Sequence, residues 1–198
     1  AGVLVDPREV IVTHGCVDAL QMSLRVLTRP GDLIAAESPT YYGLLQLADL
    51  LGLKVIEIPS HPREGVSLAA LDDALRHYPV KACLFMLNFA NPTGSLVPDE
   101  ARQALLALLR RHDVPLIEDD VYAELHFGQR APLSSKAVDT TGLVMHVSSF
   151  SKSLAPGYRA GWVAAGRFAQ TIARRKLMSS LAAAVPSQEA LSRYLQQG

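Results

Sequence analysis

The stretch SSFSKSLAPGYRAGW, Ser148 to Trp162, sets one lysine among serines, with Arg159 seven residues beyond it. A lysine amine that attacks a carbonyl must spend part of its time uncharged, which a partly desolvated pocket with cationic neighbours permits. Taken alone, Lys152 reads as a solvated side chain in a serine-rich loop. The groups elsewhere in the chain that could work with it decide otherwise. In LIEDDVYAEL, Asp119 closes an apolar run, where a carboxylate could hold a proton on a heterocyclic nitrogen, and Tyr122 could reach a phenolate oxygen of the same ring. The commonplace alternative is helix capping by Asp119 or Asp120. Glu118 and Asp120 either support the site from behind or stay solvated.

Three further stretches carry the same kind of chemistry. Asn91-Pro92-Thr93-Gly94 is a tight turn by composition, but it follows the apolar run ACLFMLN and precedes a helix. There the Asn91 amide could donate to the same ring oxygen. THGCVDAL places glycine at the opening of a helix, so backbone N–H groups of Gly15, Cys16 and Val17 would form an anion site. Arg159, with Ser149 and Ser151, would complete a phosphate cup, arginine giving paired hydrogen bonds. Tyr41, in ESPTYYG, could lie against a flat aromatic ring or simply pack in the core. His14, His61 and His112 show no ligand spacing, so no metal is assigned. A phosphate cup, a stacking tyrosine, a carboxylate for a ring nitrogen, two donors for a ring oxygen and an imine-forming lysine together specify one cofactor, pyridoxal 5′-phosphate. A cofactor-free structural domain would need these features to coincide in order.

The elements that must position these residues are legible as apolar, β-branched runs between helical patterns. Val10–Thr13, Leu33–Ala36, Lys54–Ile58, Ala82–Leu87, Val114–Ile117, Leu143–Val147 and Trp162–Ala165 give seven candidate strands. Most are continuously hydrophobic, as strands covered on both faces are. Val17, Leu20, Leu24 and Leu27 share one helical face, and Ala101, Ala104, Leu105 and Leu108 another, after the start signal Pro98-Asp99-Glu100. The alternation predicts an α/β domain with a mostly parallel sheet. In such sheets ligands sit beyond the carboxyl ends of the strands, so Thr13-His14-Gly15, Asn88 to Gly94, Glu118-Asp119-Asp120 and Ser148 to Lys152 could converge on one crevice.

The chain has 198 residues, 49% hydrophobic and 19% charged, with equal numbers of cationic and anionic side chains. That is a compact domain, and its zero net charge argues against nucleic-acid contact by this segment itself. No run is long enough to cross a membrane as a helix, and no signal peptide is evident. Cys16 and Cys83 suggest a reducing, cytoplasmic setting without a disulfide framework.

The order and spacing of GCV, SPTYYG, NPTG, DDVY, SFSK and Arg159 resemble the fold type I aminotransferases of class I/II, over nearly the whole chain. The resemblance implies the large domain of that fold, a three-layer α/β/α arrangement around a mostly parallel, seven-stranded sheet. It implies pyridoxal 5′-phosphate held as an internal aldimine on Lys152, with Asp119 on the pyridinium nitrogen. Asn91 and Tyr122 would meet the 3′ oxygen, Tyr41 the ring face, and Gly15, Cys16, Ser149, Ser151 and Arg159 the phosphate. Closer still, ESPTYYGLLQ, HPREGVSLAALDDAL, ACLFMLNFANPTGS and RHDVPLIEDDVYAELHFG are similar to the aminotransferase-like domains of MocR regulators of the GntR superfamily. On that resemblance residues 1–198 are a fragment, lacking an N-terminal winged-helix region and the small C-terminal domain that carries the carboxylate-binding arginine. A homodimer and a small amino acid or amine ligand are implied, with DNA reached only through the missing region. Two functions stand open: an effector-sensing domain of a transcriptional regulator, or a free-standing aminotransferase acting on an α-amino acid.

Overall fold

The computed structural model describes residues 3–197. Its strands are β1 (Val10–Thr13), β2 (Leu33–Ser38), β3 (Lys54–His61), β4 (Gly65–Val66), β5 (Val80–Phe85), β6 (Leu116–Asp119), β7 (Val144–Ser149) and β8 (Gly161–Ala164). They form one sheet in the order β1-β8-β7-β6-β5-β2-β3-β4. The sheet therefore has eight strands, not the seven expected. The additional one, β4, is a two-residue return that pairs with the end of β3, too short to register as an apolar run. The pairs β2–β3, β2–β5, β5–β6 and β6–β7 are parallel, while β1–β8 and β7–β8 are antiparallel. Because β8 alone runs against both its neighbours, β1 and β7 point the same way as β6, β5 and β2. Their carboxyl ends share one edge of the sheet.

Helices cover both faces. Helices α1 (Cys16–Leu27), α2 (Tyr42–Leu50) and α5 (Ala169–Ser180) pack on one side, around Leu20, Leu24, Leu44, Leu47 and Ile172. Helices α3 (Leu68–His77) and α4 (Asp99–His112) cover the other, around Leu71, Leu75, Leu105 and Leu109. The last helix, α6 (Val185–Gln197), buries only Leu191 among its described residues. The three-layer α/β/α arrangement is thus as expected.

Two helical faces differ from the sequence reading. In α4 the buried set is Arg102, Leu105, Leu106, Leu108 and Leu109, so the face is rotated and Ala104 is exposed. A guanidinium in the core is what hid this register, since burial of an arginine requires partners that periodicity does not reveal. In α1, Val17 is 51% exposed, because it faces the cleft described below.

Strand alternation sorts the end of β6. Leu116 packs under α4, Ile117 under α1; Glu118 then reaches the α4 side, and Asp119 the α1 side, where it meets the first residue of α1. Successive side chains on a strand point to opposite faces, so two adjacent carboxylates arrive in two different environments.

Candidate active site

A cleft of about 230 Å3 opens at the carboxyl edge of the sheet. Ten of the eleven residues singled out from the sequence line it: Cys16, Val17, Tyr41, Asn91, Asp119, Tyr122, Ser149, Ser151, Lys152 and Arg159. The eleventh, Gly15, is buried directly beneath Arg159. They come from the ends of five strands, and the antiparallel β7–β8 pair explains the densest cluster. The connection leaving β7 carries Ser149, Ser151 and Lys152, then returns to β8 just after Arg159.

The Arg159 end of the cleft is built by close backbone approach. Thr13 of β1 pairs with Gly161 of β8, which sets Gly15 against the Arg159 guanidinium. Gly15 has φ +90°, which favours glycine, and a Cβ there would lie 2.5 Å from Arg159 Nη2 and push the guanidinium from its place. Arg159 donates from Nη2 to the His14 carbonyl (3.1 Å) and from Nη1 to Ser151 Oγ (3.3 Å) and the Pro156 carbonyl (3.2 Å). Beside it begins α1, whose first N–H groups have no partner within the helix. A cation, two hydroxyls and a helix N-terminus in one place form a site for a dianion.

On the cleft wall Asp119, only 5% exposed, accepts from the Cys16 thiol (Sγ–Oδ1 3.2 Å) and the Val121 N–H (3.3 Å). Burial pushes its carboxyl up to about 6; those two donors oppose the rise and neighbouring Asp120 adds to it. Such a carboxylate gains from a cationic N–H partner in the cleft. It closes the β6 strand and is followed by a turn, not by the helix that a capping role would require.

Lys152 Nζ lies 5.9 Å from the centroid of the Tyr122 ring, with no hydrogen bond or ion pair to the described residues. The amine is exposed to the open cleft, so the desolvated pocket expected from sequence is not formed by these residues alone. Tyr41 stands at the start of α2, its phenol pushed up by burial and by Tyr42, whose ring centre is 4.9 Å away. A Cβ on Gly43 would lie 2.5 Å from the Tyr41 ring, so this glycine lets the ring fold back over the helix start.

Behind the cleft runs a buried polar chain that sequence reading did not find. Arg102, 2% exposed, donates to Glu118 Oε1 (3.0 Å) and Asn88 Oδ1 (2.7 Å); Asn88 Nδ2 donates to Asp120 Oδ1 (2.8 Å); His146 Nε2 sits 2.9 Å from Asp120 Oδ2. Glu118 and Asp120 are therefore neither solvated nor capping groups. Glu37, 3% exposed at the end of β2, accepts from the Met86 N–H (2.8 Å), and burial pushes its carboxyl up to about 8. The available signal was period two: EDD at a strand end must send alternate carboxylates to opposite faces. Among the described residues no group of histidine, cysteine and carboxylate side chains could hold a metal ion.

These features are those of a family. The family model for aminotransferase class I and II matches residues 2–197, and the chain belongs to that family. It is 47% identical over 194 residues to the uncharacterized HTH-type transcriptional regulator YdcR of Escherichia coli, covering 98% of this chain and 42% of that protein. It is 34% identical over 164 residues to the 2-aminoadipate transaminase of Thermus thermophilus, covering 81% of this chain and 41% of the relative. Among solved structures, LysN, the α-aminoadipate aminotransferase of Thermus thermophilus complexed with N-(5′-phosphopyridoxyl)-L-leucine, superposes with a TM-score of 0.92 at 31% identity, over 98% of this chain and 51% of that one. The chain thus spans about half or less of the length of the relatives it matches. Pyridoxal 5′-phosphate is the cofactor of the family, and the donor set described above fits it end to end.

Proposed function

We propose that this chain is the cofactor-carrying domain of a GntR/MocR-type transcriptional regulator, in which pyridoxal 5′-phosphate on Lys152 reports an amino acid or amine. The observation that carries the cofactor assignment is that Lys152, Asp119, Tyr122, Asn91, Tyr41 and Arg159, scattered over 119 positions from 41 to 159, line one cleft. The similarity to YdcR supports the regulatory half of the reading. The phosphate would rest on Arg159, Ser149, Ser151 and the N–H groups of Gly15, Cys16 and Val17. Tyr41 would lie on the ring, Asn91 and Tyr122 would meet its 3′ oxygen, and Asp119 would keep the proton on its nitrogen. The cofactor supplies an electron sink. Lys152 would hold the cofactor through its amine, and an amino compound entering the cleft would compete for that place. Winged-helix DNA binding, a homodimer and a cytoplasmic setting belong to the same proposal for the whole protein.

A second reading, a free-standing aminotransferase, is favoured by the match to the Thermus transaminase and by the LysN superposition. There the released Lys152 amine would take the proton from the substrate Cα. Borohydride treatment of the full natural protein with pyridoxal phosphate tests the shared assignment. We expect a reduced cofactor adduct on the Lys152 peptide, lost in Lys152→Ala, and weakened cofactor retention in Asp119→Ala. Label elsewhere, or none, overturns the site. Conversion of an added amino acid to its keto acid at many turnovers per subunit would favour the enzyme; a change in operator affinity without turnover would favour the sensor.

A further inference from the structure

Cys16 opens α1 and Asp119 closes β6, 103 residues apart in sequence, yet Sγ and Oδ1 are 3.2 Å apart on the cleft wall. The same Oδ1 takes the Val121 N–H at 3.3 Å, while Oδ2 accepts from none of the described residues. Both internal donors thus fall on one oxygen. We propose, resting on the cofactor reading above, that Cys16 is a positioning residue for Asp119. Its S–H sets the rotation of the carboxyl group and leaves Oδ2 as the oxygen presented to a ring N–H in the cleft.

Three observations bear on this. The thiol is pushed well above its ordinary range by desolvation and by Asp119 itself, so it stays protonated and can only donate toward the carboxylate. A thiol kept in this form is a poor nucleophile, which points to orientation and away from covalent chemistry. Finally, Asp119 is poorly supplied with positive charge. Asp120 on the same segment opposes its ionisation and His146 from β7 favours it, while Glu37 from β2 and the Tyr41 phenol, both pushed up, face it as neutral groups. Lys152 and Arg159 line the cleft, yet neither forms an ion pair with Asp119. In that setting the loss of one donor to the anion must raise the pH at which Asp119 gives up its proton.

The test is a pH titration of Asp119 in the full natural protein stripped of cofactor. It is followed by infrared difference spectroscopy of the carboxylic acid C=O stretch, with Asp119→Asn identifying the band. Cys16→Ala is expected to raise the proton affinity of Asp119 about three- to tenfold, as loss of one such hydrogen bond would. Cys16→Val, which fills the space without a donor, should do the same, so the answer survives if the alanine variant folds poorly. Cys16→Ser keeps a donor and should stay within about twofold of wild type. An unmoved midpoint in the alanine and valine variants overturns the proposal, as does a serine variant that behaves like them. A parallel borohydride trap on Lys152 separates the two readings. No adduct in any variant sinks the cofactor assignment, while the midpoints still decide the role of Cys16.

Discussion

One peptide bond separates two regions built on opposite principles. On the α4 side of β6, Glu118 and Asp120 end a chain in which nearly every polar atom has a partner. Glu118 takes Arg102, the Ser135 N–H and the Ser134 hydroxyl, and Asn88 spends both ends of its amide on Arg102 and Asp120. Among the fully buried side-chain atoms of these described residues, Arg102 Nε is the one left without a hydrogen-bond partner. On the α1 side, Asp119 and the nearby Glu37 are equally buried but under-supplied with donors, and both carboxyls are held above their ordinary range. Lys152 meanwhile faces the cleft beside the Tyr122 ring, without a hydrogen bond or ion pair to the described residues. Buried polar groups that only hold a fold together must be satisfied internally, since each one left bare costs about 1–3 kcal/mol. Groups left short of partners beside a cleft are poised for a ligand to complete them. The satisfied chain also braces the other region. Asn88 pairs with Leu96 across the turn that carries Asn91, and Asp120 directly follows Asp119.

The difference can be broken by substitution. Arg102→Met should produce the largest effect, because it strands Glu118 without its charge partner in a fully buried place. Losses of about 3–5 kcal/mol are typical of such cuts, read as a fall in the urea midpoint with little change in slope. A variant as stable as wild type would mean that the chain is not the brace described here.

Glu37→Gln sharpens the contrast through pH. Glu37 titrates at about 8 in the fold against an ordinary 4.5, so the folded state holds a proton that the unfolded chain releases earlier. Its contribution is therefore full below pH 4.5 and is lost as pH rises through 8, with a slope of up to about 1.4 kcal/mol per pH unit. The glutamine keeps an acceptor for the Met86 N–H, so unfolding free energy in that variant should flatten across this window. Persistence of the full slope would place its origin in another group. The smallest effect is expected for Lys152→Ala: stability without cofactor should change by less than about 0.5 kcal/mol, since the amine supports nothing internally. A substantial loss would contradict its role as a group held for a ligand.

Much of this was legible in one sequence because strand ends and helix starts carry local signals. Short apolar, β-branched runs located β1, β2, β3, β5, β6, β7 and β8 within a few residues, and glycine before Cys16 marked the opening of α1. The runs ended early where polarity set in: β6 was expected over Val114–Ile117 but reaches Asp119, because buried, hydrogen-bonded carboxylates look like loop residues. Arg102 hid the register of α4 for the same reason. No local pattern announces that a guanidinium will find a carboxylate 16 residues away.

What the sequence by itself determined is the inventory: the residue types a pyridoxal phosphate site needs, in order, each at an element boundary. That follows from backbone chemistry, since turns, helix N-termini and strand ends are written in local composition. Tertiary structure alone decided that Glu118 and Asp120 join a buried chain with Arg102, Asn88 and His146, and that Cys16 offers a thiol to Asp119. It also set how much each buried carboxyl is displaced from its ordinary titration. Those outcomes depend on which strands become neighbours and on how much water they exclude, and both are properties of the packed sheet.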